Sequence, residues 1–300
     1  MKIGDVLYFF IVNNQSGNGL KVWKRISKMM AKMNIKYKAI VLDKDDHGIF
    51  KIKDLLTNCN IKALVVIGGD GTIQQALRYI ENTSIPIGVI PAGSGNDFAR
   101  ALNIPKNSRR ALKKILLGKT TMINVMHVNN NSCLTVVGVG FDAKVTEITN
   151  RSKIKKWLNY FRAGKLAYVF SVLRAVFSYS PTDVEITIDG NTKSYLNVWL
   201  IAIANTPFYG GGLKICPEAD ETDNTLNLCI AHSLSRLELL IFFPLVFLGK
   251  HTLHRSVTSI KGQVIEVKSN GTTLVQADGE MLGETPVSIS IKKEKLKVII

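Results

Sequence analysis

The feature that most constrains this chain is a five-residue apolar run, Ala63-Leu64-Val65-Val66-Ile67, that leads without a break into Gly68-Gly69-Asp70-Gly71-Thr72. The run has the length and β-branched content of a strand buried on both faces, and such strands belong to parallel sheets covered by helices. The apolar periodicity resumes after the turn and predicts a helix from about Ile73 to Ile80. A glycine-rich turn from strand to helix leaves backbone N–H groups at the helix N-terminus, where the macrodipole favours an anion. Glycine also lets the chain approach phosphate oxygens that a Cβ would hold off. The turn therefore points to a bound phosphate, although a tight turn with a capping threonine would use the same residues. Asp70 cannot meet a phosphate directly, so its place there implies an intervening Mg²⁺ or a structural hydrogen bond.

The flanking segments repeat the alternation of strand and helix. Val6–Val12 reads as a buried strand, followed by a polar turn at Asn13–Gly19 and a basic amphipathic helix to about Met33. Tyr37–Leu42 is a strand, Ile49–Leu56 a helix and Ile87–Ile90 a strand that ends in Pro91-Ala92-Gly93-Ser94-Gly95-Asn96-Asp97. Ligands of open parallel sheets sit at the carboxyl ends of strands, and three glycine-bearing turns fall at such ends here. Asp97 alone reads equally as the N-cap of a helix through Phe98–Leu102. Beside Asp70 on an adjacent strand end, it points to magnesium handling.

After about Ile123 the pattern changes to short alternating strands at Val184–Ile188, Leu196–Ala204, Thr225–Ile230, Val264–Lys268, Thr273–Ala277 and Val287–Ile291. A long helical signal at about Lys153–Phe177 interrupts them. The expected organisation is an α/β nucleotide-binding domain over 1–123 and a mostly antiparallel β-domain over 124–300, its last strand free to pack back on the first domain. Asp278-Gly279, between Gln276-Ala277 and Glu280, reads as a plain hairpin turn.

A net charge of +16 asks for a polyanionic partner. The chain carries no RNP-like aromatic motif, zinc finger or basic DNA-reading helix, which argues against nucleic acid and for peripheral binding to an anionic membrane surface. Between Lys144 and Arg174, the basic residues Lys144, Arg151, Lys153, Lys155, Lys156, Arg162, Lys165 and Arg174 face one acid, Glu147. Aromatics such as Trp157, Tyr160 and Phe161 interleave with them, as in an interfacial helix, while Val169–Phe177 reads as buried. Leu237–Leu248 is the longest apolar stretch, yet it is too short to span a bilayer and contains Glu238 and Pro244. It is either a buried element or a membrane-facing surface. The scattered cysteines, Cys59, Cys133, Cys216 and Cys229, fit a reduced, cytoplasmic protein. The five histidines share no spacing with acids that would suggest a metal site.

Five motifs occur in order: GGDGT at 68–72, PAGSGNDFAR at 91–100, GVGFDA at 138–143, FYGGGLKICPEA at 208–219 and ADGE at 277–280. Together they resemble the diacylglycerol kinase and sphingosine kinase superfamily, specifically its compact soluble bacterial lipid kinases, over essentially the whole chain. GGDGT alone is shared with NAD kinases and phosphofructokinases; the later motifs make the resemblance specific. It implies an α/β nucleotide domain followed by a β-sandwich, with ATP and a lipid acceptor such as diacylglycerol. By the same resemblance Gly68, Gly69, Asp70, Gly71, Thr72, Ile73, Gln74 and Ser94 line the ATP phosphates, with Asn13, Ser16 and Gly17 nearby. Asp70 and Asp97 serve the catalytic Mg²⁺, and Glu280 is the general base for the acceptor hydroxyl. A structural Mg²⁺ falls on Asp220, Asp223 and the carbonyl of Thr225, and a homodimer is allowed for. The chain departs from the family pattern at Asn14, Asp43, Gln74-Gln75, Asn124 and Asn224; Asn124 replaces a frequent aspartate. Two alternatives stand beside this reading: an NAD kinase-like enzyme acting on a soluble nucleotide, and a catalytically weak lipid-binding regulator.

Overall fold

The computed structural model describes residues 7–14, 17–42, 59–81, 83–151, 164–292 and 295–300, together with Ile52 and Leu56. Contacts divide the chain into two compact units, one of Met1–Ile123 with Glu294–Ile300 and one of Asn124–Lys293.

The first unit is built on β1 (Leu7–Asn13), β2 (Tyr37–Leu42), β3 (Ile61–Gly68), β4 (Ile87–Pro91) and β5 (Thr120–Ile123). They form a six-stranded sheet in the order β2-β1-β3-β4, then the carboxyl-terminal strand Leu296–Ile299, then β5. The first four strands run parallel, and the carboxyl-terminal strand is parallel to β4 but antiparallel to β5. Six consecutive residues of β1 are buried, as expected where helices cover both faces. Among the described residues its helices include α1 (Gly19–Lys32), α2 (Asp70–Ile80), α3 (Asp97–Ala101) and α4 (Ser108–Leu117). Asn107 caps α4, its side-chain oxygen accepting the N–H groups of Arg109 and Arg110. The helix expected at Ile49–Leu56 falls largely outside the described residues.

The second unit contains β6 (Met126–Val128), β7 (Asn131–Cys133), β8 (Val136–Gly140), β9 (Thr182–Ile188), β10 (Asn191–Ala204), β11 (Phe208–Tyr209), β12 (Leu213–Lys214) and β13 (Leu226–His232). It continues with β14 (Val257–Gly262), β15 (Val264–Ser269), β16 (Leu274–Ala277), β17 (Glu280–Glu284) and β18 (Val287–Ile291). Its main sheet has eleven strands, all antiparallel: β17-β16-β8-β10-β9-β15-β18-β6-β7, with β13 and β14 joined through β10. Buried Val137, Val139, Ile201, Ile203, Leu228, Ile265 and Ile289 are part of one apolar core. This is a β-sandwich-like domain whose described residues include the helices α5 (Phe141–Arg151), α6 (Gly164–Ser178) and α7 (Arg236–Val246).

Of the long helix expected at Lys153–Phe177, the described residues show the part from Gly164 onward as helix. α5 ends at Arg151 and α6 starts at Gly164, while 152–163, including Lys153, Lys155, Lys156, Trp157 and Arg162, lie outside the described residues. α6 buries Val172, Ala175 and Val176 against Phe141, Val145 and Trp199, and leaves Phe170, Leu173 and Phe177 exposed. Burial of that segment is therefore one-sided. α7 starts in a capping box, Ser235 with Glu238, and has no buried residue. Among the described residues no helix is long and apolar enough to cross a membrane.

Candidate active site

In the first unit the glycine turn begins α2 at Asp70, three residues before the apolar periodicity. The N–H groups of Thr72 and Ile73 already donate to Gly69 O at 3.0 and 3.2 Å. Those of Asp70 and Gly71 are first-turn donors with no carbonyl of their own helix to meet. The neighbouring turn packs directly on this one: a Cβ on Gly93 would lie 2.5 Å from Gly69 Cα, so glycine is the residue that permits the approach. Ala92 N–H donates to Gly68 O at 2.8 Å, extending the β3–β4 pairing into the two turns. Asn96 holds the second turn with a left-handed backbone (φ +53°) and a reciprocal pair of bonds to Gly93, at 3.0 and 2.7 Å.

The two acids at these turns are tied into the same frame. Asp70 Oδ1 accepts the N–H of Phe98 at 3.0 Å and so caps α3 from the adjacent strand end. Asp97 is buried at the start of α3 and ion-paired with Arg100. Of the two roles open to Asp70 in the sequence, the structural hydrogen bond is made. A hard cation such as Mg²⁺ takes one or two carboxylates together with phosphate oxygens, and Asp70 and Asp97 supply that donor chemistry. Among the described residues no three His, Cys, Asp or Glu side chains cluster as a metal site.

Asn13 at the end of β1 reaches this turn, its Nδ2 donating to Thr72 Oγ1 at 2.8 Å. Gly17 and Ser94 are exposed, while Ser16 lies outside the described residues. Ile73 and Gln74 turn inward, Ile73 wholly into the core, so Ile73 offers a nucleotide no side chain.

In the second unit Glu280 opens β17, paired with Ala277 across the two-residue turn Asp278-Gly279. Both turn residues have positive φ, +48° and +85°, the hairpin geometry that Asp-Gly favours. The hairpin is more than plain. Asp278 accepts the N–H groups of Leu134 and Thr135 at 2.8 and 2.9 Å, and also the Thr135 hydroxyl. Glu280 itself is exposed. Asn124, at the start of the second unit, is fully buried, and neither polar atom of its side chain has a hydrogen-bond partner among the described residues.

The Asp220–Thr225 loop is closed by its own side chains. Asp220 accepts the N–H and hydroxyl of Thr222 at 2.8 and 2.7 Å, which holds its pKa below the usual carboxylate range. Asp223 accepts the N–H and hydroxyl of Thr225, both at 2.8 Å, and Lys261 Nζ stands 3.9 Å from it. A cation there would share Asp223 with an ammonium already present.

Comparison with known proteins decides what these turns belong to. Residues 8–128 match the diacylglycerol kinase catalytic domain, and residues 135–300 match the YegS C-terminal NAD kinase beta sandwich-like domain. The chain belongs to the diacylglycerol kinase-like lipid kinases. It is 33% identical over 243 residues to a diacylglycerol kinase of Mycobacterium tuberculosis (strain ATCC 25618 / H37Rv), covering 79% of this chain and 76% of that one. Against YtlR of Bacillus subtilis (strain 168) it is 29% identical, covering 97% of this chain and 98% of the other. A crystal structure of a diacylglycerol kinase from Bacillus anthracis str. Sterne superposes with a TM-score of 0.72 at 19% identity, covering 100% of this chain and 97% of that one. At that identity the superposition speaks for the fold alone. Membership in a kinase family implies ATP as the phosphate donor.

Sequence reasoning about this kinase missed the partners that hold its turns. The Phe98 N–H, the Asn96 brace and the Leu134–Thr135 N–H groups are backbone or local features that become visible only once the chain is folded. Gln276 and Asp142 were also passed over, although both lie in the quoted motifs or beside them.

Proposed function

We propose that this lipid kinase transfers the γ-phosphate of ATP to the free hydroxyl of a membrane lipid, diacylglycerol, giving phosphatidic acid. The observation that carries the reading is the pair of glycine turns at Gly69 and Gly93, packed together so that the Asp70 and Gly71 N–H groups open toward an anion. Asp70 and Asp97 would hold Mg²⁺ on the phosphates; when bound, the ion neutralises charge that develops during transfer. Glu280 takes the proton of the acceptor hydroxyl as its oxygen bonds to the γ-phosphorus. The bond from that phosphorus to the β–γ bridging oxygen breaks, and ADP leaves with the electron pair.

Peripheral association with an anionic bilayer on the cytoplasmic side belongs to the same proposal. Its support is the net charge of +16 and the exposed apolar side chains of α7 and the turn that follows it. Leu237, Ile241, Phe247, Leu248 and Leu253 are all exposed, with exposed Arg236, Lys250 and Arg255 beside them. Apolar side chains flanked by cations suit insertion below an anionic headgroup layer. Of the basic segment expected to serve this role, Lys144 and Arg151 share an ion pair with Glu147 at 2.8 and 3.1 Å, which spends part of their charge locally.

The deciding experiment is transfer of label from γ-labelled ATP to a panel of lipids in phosphatidylglycerol vesicles, with and without Mg²⁺. Labelled phosphatidic acid, lost on Glu280→Gln, is the expected result. Labelling of a soluble nucleotide instead, or full turnover by Glu280→Gln, would overturn the reading.

A further inference from the structure

The carboxylate of Asp142 has no part in the reaction described above, yet it lies in the interior of the second unit with only 3% of its surface exposed. Gly138 makes the room for it: a Cβ there would sit 1.9 Å from Asp142 Oδ2. Its partner is the side chain of Gln276, itself buried, whose Nε2 donates to Asp142 Oδ2 at 2.6 Å. The other end of the same amide, Gln276 Oε1, accepts the N–H of Gly279 at 2.8 Å. Gly279 is the second residue of the turn that presents Glu280. The carbonyl of that glycine in turn accepts from Asn150 Nδ2 at 3.3 Å, and Asn150 lies on α5, the helix that begins beside Asp142.

An amide side chain has two chemically different ends of nearly the same size, so its orientation must be set by what surrounds it. A carboxylate can only accept. Burial raises the pKa of Asp142 to about 6, against hydrogen bonds from Gln276 and Tyr209 that lower it, so the group is ionised at neutral pH. An ionised Asp142 therefore forces the Gln276 NH₂ toward itself and Oε1 toward Gly279. The reverse orientation would set an NH₂ against the Gly279 N–H and push the turn away.

We infer that Asp142 is a positioning residue, which acts through the amide of Gln276 and the Gly279 N–H to fix the turn that aims Glu280 at the acceptor hydroxyl. The inference rests on the role proposed above for Glu280. Displacement of a catalytic group by about 1 Å costs on the order of 100-fold in rate, so the exact setting of the turn that carries Glu280 matters.

The test compares Gln276→Glu, Asp142→Asn, the double variant Asp142→Asn/Gln276→Glu, and Glu280→Gln, all as full-length enzyme. kcat and KM for ATP and for diacylglycerol in phosphatidylglycerol vesicles are measured at pH 7.5, with thermal midpoints alongside. Gln276→Glu sets two carboxylates face to face and should lower kcat by about 10–100-fold with KM for ATP unchanged. The double variant reverses the polarity of the bond, the new amide donating to the new carboxylate, whose second oxygen still accepts from Gly279. It keeps the pair's single negative charge and should recover most of the lost kcat. Should Gln276→Glu fail to fold, Asp142→Asn serves in its place: it frees the amide to turn over and should lower kcat without lowering the thermal midpoint. Wild-type kcat in Gln276→Glu or Asp142→Asn, while Glu280→Gln is inactive, overturns the positioning role alone. A double variant that regains its thermal midpoint but not its kcat does the same. Full kcat in Glu280→Gln defeats the underlying reading of Glu280 instead.

Discussion

Asp70 and Phe98 are 28 residues apart in sequence, yet the carboxylate of the first accepts the backbone N–H of the second at 3.0 Å. This bond couples the glycine turn after β3 to the start of α3, so one acid serves both the frame and the chemistry proposed for it. The two duties can be separated by substitution.

Asp70→Asn keeps an oxygen for Phe98 and removes the negative charge. It should fold with a thermal midpoint near that of the wild type and lose nearly all turnover. Asp70→Ala should lose turnover and also about 1 kcal/mol of stability, the usual worth of a helix cap. Activity retained in Asp70→Asn would show that the carboxylate serves the fold alone.

The glycines of the turn differ in what surrounds them. A Cβ on Gly71 meets nothing within 4 Å, whereas one on Gly69 would press on Gly93 Cα at 3.1 Å. Gly71→Ala should therefore fold at least as well as the wild type, since alanine is the better helix former. If phosphates approach the helix start, its KM for ATP should rise about tenfold, equivalent to roughly 1.4 kcal/mol of binding. Gly69→Ala should weaken both nucleotide binding and the fold. Unchanged ATP affinity in Gly71→Ala would move the phosphates elsewhere.

Asp142 makes a prediction about pH. Its folded pKa of about 6 lies above the ordinary aspartate value, so folding takes up a proton. The carboxyl accordingly costs no stability in acid and weakens the fold as pH rises from about 4 through 6. Asp142→Asn stays neutral throughout, so its advantage over the wild type should grow across that window. At roughly 1.4 kcal/mol per pKa unit the gain at pH 7.5 is on the order of 3 kcal/mol. Denaturant melts at pH 4, 6 and 7.5 measure it, and parallel curves for the two proteins would rule it out.

The exposed face of α7 gives the fourth. Leu237→Glu with Ile241→Glu should cut sedimentation with phosphatidylglycerol vesicles sharply while leaving turnover on detergent-dispersed diacylglycerol intact. Added salt should weaken wild-type binding only in part, because charge is screened over about 8 Å at physiological ionic strength whereas apolar insertion is not. Vesicle binding unaffected by the two glutamates would assign the apolar face to another partner.

Much of this protein can be read from local pattern. The apolar runs at Val6–Val12, Ala63–Ile67 and Ile87–Ile90 are long, uninterrupted and bounded by glycine or polar turns, so they declare buried parallel strands whatever surrounds them. The turn residues at 68–72 and 91–97 carry their own backbone preferences, which is why the two loops were legible one at a time. Strands whose residues carry no such signal were not. β8 is Val136-Val137-Gly138-Val139-Gly140, where glycine belongs for the sake of Asp142, and β17 is Glu280-Met281-Leu282-Gly283-Glu284, an edge strand paired on one side. Their place is decided by neighbours distant in sequence. The carboxyl-terminal strand, which the sequence left free to pack back on the first domain, lies in the first unit's sheet between β4 and β5, with Val298 opposite Ile87 and Thr121. Local residues thus determined the two glycine turns and their acids. Tertiary structure decided which distant donor an acid meets, Phe98 for Asp70 and Gln276 for Asp142, because hydrogen bonds are directional and short and depend on distances that a linear pattern does not contain.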